Sequence, residues 1–167
     1  MSARRTWWYK RFRVAAYVNT IAWLAWTVTM LLPFPPFSDL QPIMVGGGAG
    51  TWFVLAYFLF LTVAVVGFAA ISSLLFVLEA HEQPHLSYRI MLIGALLLYI
   101  GTLSSLILLG LAGAIGGYSS VIENSTVSAT DVILAPFVNL ITATCLAAVV
   151  GAGFTIYGMG TAKANEP

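Results

Sequence analysis

Charge is the scarcest property of this sequence. Asp, Glu, Lys and Arg together make up 8% of its 167 residues, whereas a water-soluble domain carries about a quarter. Hydrophobic residues account for 60% of the chain. This balance excludes an ordinary water-soluble fold and indicates a chain that lies in lipid.

The few charged residues avoid four long apolar runs. Apart from Arg89, near the start of the third run, these runs contain no Asp, Glu, Lys, Arg or His. Each run exceeds the roughly 18 residues at which a membrane-spanning helix is the preferred interpretation. The sequence therefore predicts an all-α integral membrane protein, a four-transmembrane-helix bundle that forms a single membrane domain over residues 1–167. The predicted helices cover residues 14–32, 52–78, 86–115 and 132–157.

The same scarcity limits the chemistry that the chain can perform. A catalytic site, an ion path or a proton relay at bilayer depth normally requires an ionisable residue within a span. The interiors of these runs have none, so we expect no enzymatic activity. Cysteine is equally scarce: Cys145, in the last run, is the only one, which excludes an intrachain disulfide. The net charge of +1 gives no indication of nucleic-acid binding.

The basic residues are distributed asymmetrically. If the helices alternate in direction, all seven fall on one side of the membrane, and the positive-inside rule makes that side cytoplasmic. We therefore expect a multi-pass protein of the cell membrane, with cytoplasmic termini, an inner turn at 79–85 and outer loops at 33–51 and 116–131. The first run is too long for a signal peptide, and prolines follow it instead of a cleavage site, so we expect it to stay attached.

The two outer loops contain helix-breaking and polar residues. The first combines four prolines with a glycine cluster at 46–50, which predicts a flexible connector through which no helix runs. The second contains Asn124-Ser125-Thr126, an N-glycosylation acceptor pattern on the predicted outer side. Asp131 follows at the predicted N-cap of the last helix.

Small residues predict where the helices pack. Lipid tails are as apolar as leucine, so helices in a membrane associate through close backbone contact and a few polar interactions. We expect the third and fourth runs to form the tightest pair through residues at four-residue spacing. The candidates for helix packing are Gly110, Gly113 and Gly117 in the third run and Ala147 and Gly151 in the fourth.

One stripe of larger side chains follows the first run. Asn19, Trp23, Trp26 and Met30 recur at intervals of four, three and four residues, and so lie on one face of a helix. The simpler interpretation is that this face packs into the chain's own bundle. The alternative is that it contacts a partner subunit, lipid or a hydrophobic ligand such as a quinone.

The inner turn holds the only cluster of metal-ligand residue types: Glu79, His81, Glu82 and His85. Imidazoles suit Zn, Cu and Fe, which makes His81, His85 and Glu82 candidate ligands. However, Pro84 interrupts the helix that would place both histidines on one face. Haem ligation by His81 and His85 is a second alternative, but both lie on one hairpin with little room for a porphyrin. An ordinary hydrated turn is the favoured interpretation, and no cofactor is predicted.

Three functions are compatible with these sequence features. The leading hypothesis is an accessory or structural membrane subunit of a larger complex, with respiratory or other electron-transfer assemblies as the first class to test. Its partners would be other membrane subunits and lipid. The alternatives are a small transporter or channel that works as a homo-oligomer, and a haem- or quinone-binding redox subunit.

Overall fold

The computed structural model describes residues 7–81, 88–123 and 125–160. Within these ranges every regular element is helical. A short 3-10 turn, Phe37–Asp39, and a π-helical segment, Phe60–Gly67, accompany six α-helices. The α-helices are α1 (Trp8–Met30), α2 (Leu40–Val45), α3 (Gly50–Leu59), α4 (Phe68–His81), α5 (Tyr88–Val121) and α6 (Val127–Gly160).

Three helical stretches are long and apolar enough to cross a membrane: Gly50–Ala80, Tyr88–Val121 and Ala129–Met159. The first of these joins α3, the π-helical segment and α4 into one continuous helix. The structure thus confirms the all-helical fold, with three helices that could span a membrane where the sequence predicted four. Helix α1 is not among the three, because it begins with basic residues and has a shorter apolar part.

Helix α1 lies antiparallel along the whole of the α3–α4 stretch. Its first turn contacts Glu79, its middle contacts Ala64 through Asn19, and its last turns contact Tyr57. Trp8, Phe12 and Ala16 are buried in this contact. A core cluster at the same end combines them with Phe68, Leu75 and Met91.

Helix α5 lies between α3 on one side and α6 on the other, antiparallel to both. The pairing of α5 with α6 is the most extensive in the molecule, as the sequence predicted. On the α6 side the predicted Gly151 takes part, but on the α5 side Gly94 and Gly101 make the close contacts instead of the predicted glycines. A Cβ added at Gly94 or Gly101 would lie 2.8 Å or 2.5 Å from the backbone nitrogen of Thr155 or Ala148, and one at Gly151 would meet Leu98.

The predicted α5 glycines face the other neighbours instead. A side chain at Gly113 would meet the backbone of Phe53 in α3, and one at Gly117 would meet Ile43 and Gly50. Gly110 lies against the indole of Trp26, and Ala147 is half-buried in α6. Gly113 and Gly117 therefore hold α3 and α2 against α5, and the prediction that they pack against the last helix is wrong.

The two loops predicted at residues 33–51 and 116–131 are shorter and contain more helix than predicted. Pro42 does not prevent helix α2, because it lies in the first turn, where its missing N–H has no intrahelical acceptor. Ile43 of α2 is 2% exposed and packs onto the glycines of α5 and α3. Only Gly47 and Gly48, with φ of 72° and 56°, keep the backbone conformation that glycine alone adopts readily.

Helix α6 begins earlier than the sequence predicted. It starts at Val127, so that Asp131 lies inside the helix as an exposed residue and is not its N-cap. Pro136 lies within α6. Since proline has no N–H, it cannot bond the carbonyl of Val132 one turn earlier.

Candidate functional site

The most polar contact at the centre of the bundle involves Asn19. Its side chain is 1% exposed, and its Nδ2 donates to the carbonyl oxygen of Ala64 at 2.6 Å. The Tyr99 hydroxyl donates to Asn19 Oδ1 at 3.4 Å. Ala64 lies near the middle of the Gly50–Ala80 stretch, where a polar group without a partner would be costly.

Ala64 belongs to the π-helical segment, in which the regular α-helical bonding is replaced. Such segments are rare and occur frequently at functional sites. A side chain that inserts into the hydrogen bonding of a helix is a separate cause of helix distortion. Here the amide of Asn19 connects α1 to this irregular backbone, so the local geometry of the segment and the position of α1 are coupled.

Aromatic rings surround the rest of the Asn19 stripe. Trp23 stacks on Tyr57 with ring centroids 5.4 Å apart, and Trp26 contacts Phe53 and Phe60 edge-on at 5.4 and 5.9 Å. Each tryptophan is half-buried, as is Met30. The stripe therefore packs within this chain along three of its residues, and its contact with a partner or a quinone stays a prediction.

This centre suits structure or binding better than proton chemistry. It offers an amide, hydroxyls and aromatic rings, among them the hydroxyls of Thr27 and Tyr57, 2.9 Å apart. The indole nitrogen of Trp23 is buried without an acceptor among the described residues. These groups are hydrogen-bond donors and acceptors, and none of them is a carboxylate, an imidazole or an amine.

A second polar cluster lies at the end of the bundle where α1 and α5 begin. Glu79 Oε1 accepts hydrogen bonds from the backbone N–H groups of Trp8 at 2.8 Å and Tyr9 at 3.4 Å. The Ser72 hydroxyl donates to the carbonyl of Tyr9 at 2.8 Å. The residue before α1, Trp7, has no side-chain capping bond. Glu79 therefore caps the N-terminus of α1 from a neighbouring helix. A negative charge at this position also interacts favourably with the α1 helix dipole.

Replacement of Glu79 by alanine should weaken the α1 end of the bundle. Loss of a capping side chain costs about 0.5–2 kcal/mol, so we expect a lower midpoint of thermal unfolding in detergent and faster amide exchange at Trp8 and Tyr9. Glu79→Gln, which keeps an acceptor, should lose less. The matched control is Glu123→Ala, which removes an exposed carboxylate just after the C-terminal end of α5. Equal effects of Glu79→Ala and Glu123→Ala would contradict the capping role.

The predicted metal or haem ligands fall largely outside the described residues. His81 ends α4, but its side chain, Glu82 and His85 are not described, and the glycosylation candidate Asn124 is not described either. Within the described ranges, no group of three or more His, Cys, Asp or Glu residues could hold a metal ion. Cys145 is exposed on α6.

The surface of α6 carries an isolated amide. The hydroxyls of Thr142, Thr144 and Thr155 each donate to a carbonyl of their own helix. The Asn139 side chain is exposed and has no hydrogen-bond partner in the described part of the chain. It lies five residues from the middle of Ala129–Met159, which corresponds to about 8 Å along the helix axis. This depth is within the hydrocarbon layer of a membrane about 30 Å thick.

Most of the remaining α6 surface is apolar and exposed. Only 6% of its most apolar stretch is buried, compared with 33% for α5. Leu146, Val149 and Ile156 are each more than 60% exposed. The outward side of α6 thus presents an apolar surface that the described part of the chain does not cover.

Comparison of the chain with protein-family models, with curated proteins and with solved structures finds no match in any of the three.

Proposed function

We propose that this protein is an accessory, structural subunit of a larger membrane complex and that the outward side of α6 contacts a partner subunit. Respiratory and other electron-transfer assemblies are the first class to test. The observation that carries the proposal is the Asn139 amide, which has no hydrogen-bond partner among the described residues and lies near the middle of an apolar helix long enough to span a membrane. A partner helix with a polar side chain would satisfy it.

We further propose that α1 is a fourth span and that both termini are cytoplasmic. In support, hydrogen bonds from α1 reach Glu79, Ala64 and Tyr57, which are distributed over most of the Gly50–Ala80 span. A helix in contact along that length lies at the same depth as the span itself. Arg11, Arg13 and Arg89 all lie near the inner end, as the positive-inside rule requires of a cytoplasmic side.

Asn139→Leu should release the partner without damage to the chain. Interhelical polar contacts in membranes contribute about 0.6 kcal/mol on average and up to about 1.7 kcal/mol. We therefore expect the amount of partner that copurifies after detergent extraction to fall roughly threefold to twentyfold. Thermal unfolding of the isolated chain should not change. The control is Thr142→Val, because the Thr142 hydroxyl donates to Val138 of its own helix. An equal loss in both variants would contradict a specific role of Asn139.

Purification of the tagged chain from its native membrane in mild detergent tests the function as a whole. The proposal predicts that other membrane polypeptides copurify in fixed stoichiometry and that the chain has no activity of its own. A chain that purifies alone as a homo-oligomer and moves a solute in liposomes would support the transporter alternative instead. A haem absorption spectrum or a bound quinone would support the redox alternative.

A further inference from the structure

The starts of α1 and α5 meet at the inner end of the bundle. The ring of Trp8, which is 1% exposed, lies 5.6 Å from the ring of Tyr88. The guanidinium of Arg11 lies 4.7 Å from the Trp8 ring and 5.8 Å from the Tyr88 ring. Arg89 follows Tyr88 directly and is exposed. We call Trp8, Arg11, Tyr88 and Arg89 the inner rim site.

The aromatic rings hold the guanidinium of Arg11 in place. A guanidinium that stacks on aromatic faces keeps its N–H groups in its own plane, free to donate to an oxyanion. Trp8 is buried in the core cluster of α1, α4 and α5, so the platform beneath Arg11 is fixed by the fold. Arg11 itself is exposed, and its donors face the surroundings of the protein.

The charge around this site is not neutralised within the described part of the chain. Neither Arg11 nor Arg89 forms an ion pair there. Glu79, the described acidic residue at this end, is bonded to the backbone of Trp8 and Tyr9 instead. On the predicted topology, all seven basic residues of the full sequence lie on this side, together with only three of the six acidic ones.

The depth of the site matches the headgroup layer of a bilayer. Arg11 lies three residues before the apolar run that begins at residue 14, and tryptophan and tyrosine rings prefer this interfacial level. Directly after the site, α1 exposes Val14 and Val18, which offer an apolar surface to an acyl chain. We propose that the inner rim site binds an anionic phospholipid, with Arg11 donating to the headgroup phosphate and Arg89 adding positive charge.

The test is lipid retention by the full chain. The protein is reconstituted with phosphatidylcholine and phosphatidylglycerol in equal parts, extracted in detergent, and its bound lipids are quantified by mass spectrometry. The wild-type chain should retain several times more phosphatidylglycerol than phosphatidylcholine. A basic residue near the membrane surface changes anionic-lipid affinity about fivefold. Arg11→Gln and Arg89→Gln should each reduce the enrichment by about that factor.

The control is Arg13→Gln. Arg13 is also exposed, and its guanidinium lies 5.1 Å from the Tyr9 ring. Among the described residues it makes no contact with Trp8 or Tyr88, so its loss should reduce the enrichment by a clearly smaller factor than the loss of Arg11. Circular dichroism of each variant checks that the helices are intact. Equal retention of both lipids by the wild-type chain would overturn the proposal, as would equal losses in Arg11→Gln and Arg13→Gln. Displacement of the lipid by inorganic phosphate at matched ionic strength would also contradict it.

Discussion

Gly113→Leu is expected to prevent stable folding of this protein. A Cβ at this position already lies 2.7 Å from Cα of Phe53 and also meets the Phe53 backbone nitrogen, and a leucine adds three further carbons. Because the obstacle is backbone, α3 and α5 must separate. Overpacking of this kind costs about 1–3 kcal/mol of stability, occasionally more. We expect the cost of Gly113→Leu to lie at the upper end of this range. The measurement is the yield of monodisperse protein in detergent together with its thermal unfolding midpoint.

Gly153→Leu is the matched control. Gly153 lies in a membrane-spanning stretch too, but a Cβ added there has no atom within 4 Å. We expect this variant to be as stable as the wild type, or slightly more stable, because glycine disfavours a helix interior by roughly 0.5–1 kcal/mol relative to alanine. If Gly113→Leu and Gly153→Leu behave alike, the close contact between α3 and α5 does not exist.

Asn19→Leu is expected to have the second-largest effect. The variant removes the donor to the Ala64 carbonyl and the acceptor for Tyr99 at the middle of the bundle. A buried polar group left without its partner costs about 1–3 kcal/mol, and membrane-protein cycles give values up to about 1.7. We therefore expect a lower unfolding midpoint and faster amide exchange in the π-helical segment, measured by hydrogen-exchange mass spectrometry.

Thr20→Val is the control for the Asn19 prediction. Thr20 is the next residue of α1, and its hydroxyl donates to Ala16 of its own helix, so its loss leaves no partner in another helix unsatisfied. Its unfolding midpoint should stay near that of the wild type. If amide exchange in Asn19→Leu becomes faster throughout the chain, and no more so at residues 60–67 than elsewhere, Asn19 does not support the π-helical segment.

The apolar runs were sufficient to predict the helices, because helix formation in lipid depends on the local sequence. A helix satisfies its own backbone groups, so its presence in lipid follows from the run of apolar residues alone. Helix ends were less predictable: α6 begins at Val127 and α5 continues to Val121. Polar Ser and Thr residues and glycines extend these helices, since tertiary contacts outweigh weak local preferences.

Helix pairing could be predicted only in part. Gly94 and Gly101 are seven residues apart and so share a helix face, a signal that was available but is weaker than the four-residue spacing of Gly113 and Gly117. Which face meets which neighbour depends on the whole packing arrangement. The spacing predicts a face of small residues that another helix can approach closely, but it does not identify which helix does so.

The roles of Glu79 and Asn139 depend on three-dimensional proximity. Glu79 is 71 residues from Trp8 in sequence, and no local pattern connects a carboxylate at the end of one helix with the first turn of another. Asn139 is a polar residue within an apolar run, and nothing in its sequence position distinguishes it from the nearby threonines. Only the structure shows that the threonines bond their own helix and that the amide does not.

Photo-crosslinking from position 139 in the native membrane shows whether α6 contacts a partner subunit. With a photoreactive residue at 139, we expect one discrete crosslinked species that contains a second polypeptide. The same probe at Leu24, an exposed residue of α1, should yield no discrete species. Crosslinks from position 139 to lipid alone, or an identical pattern from both positions, would contradict the assignment of α6 as the partner surface.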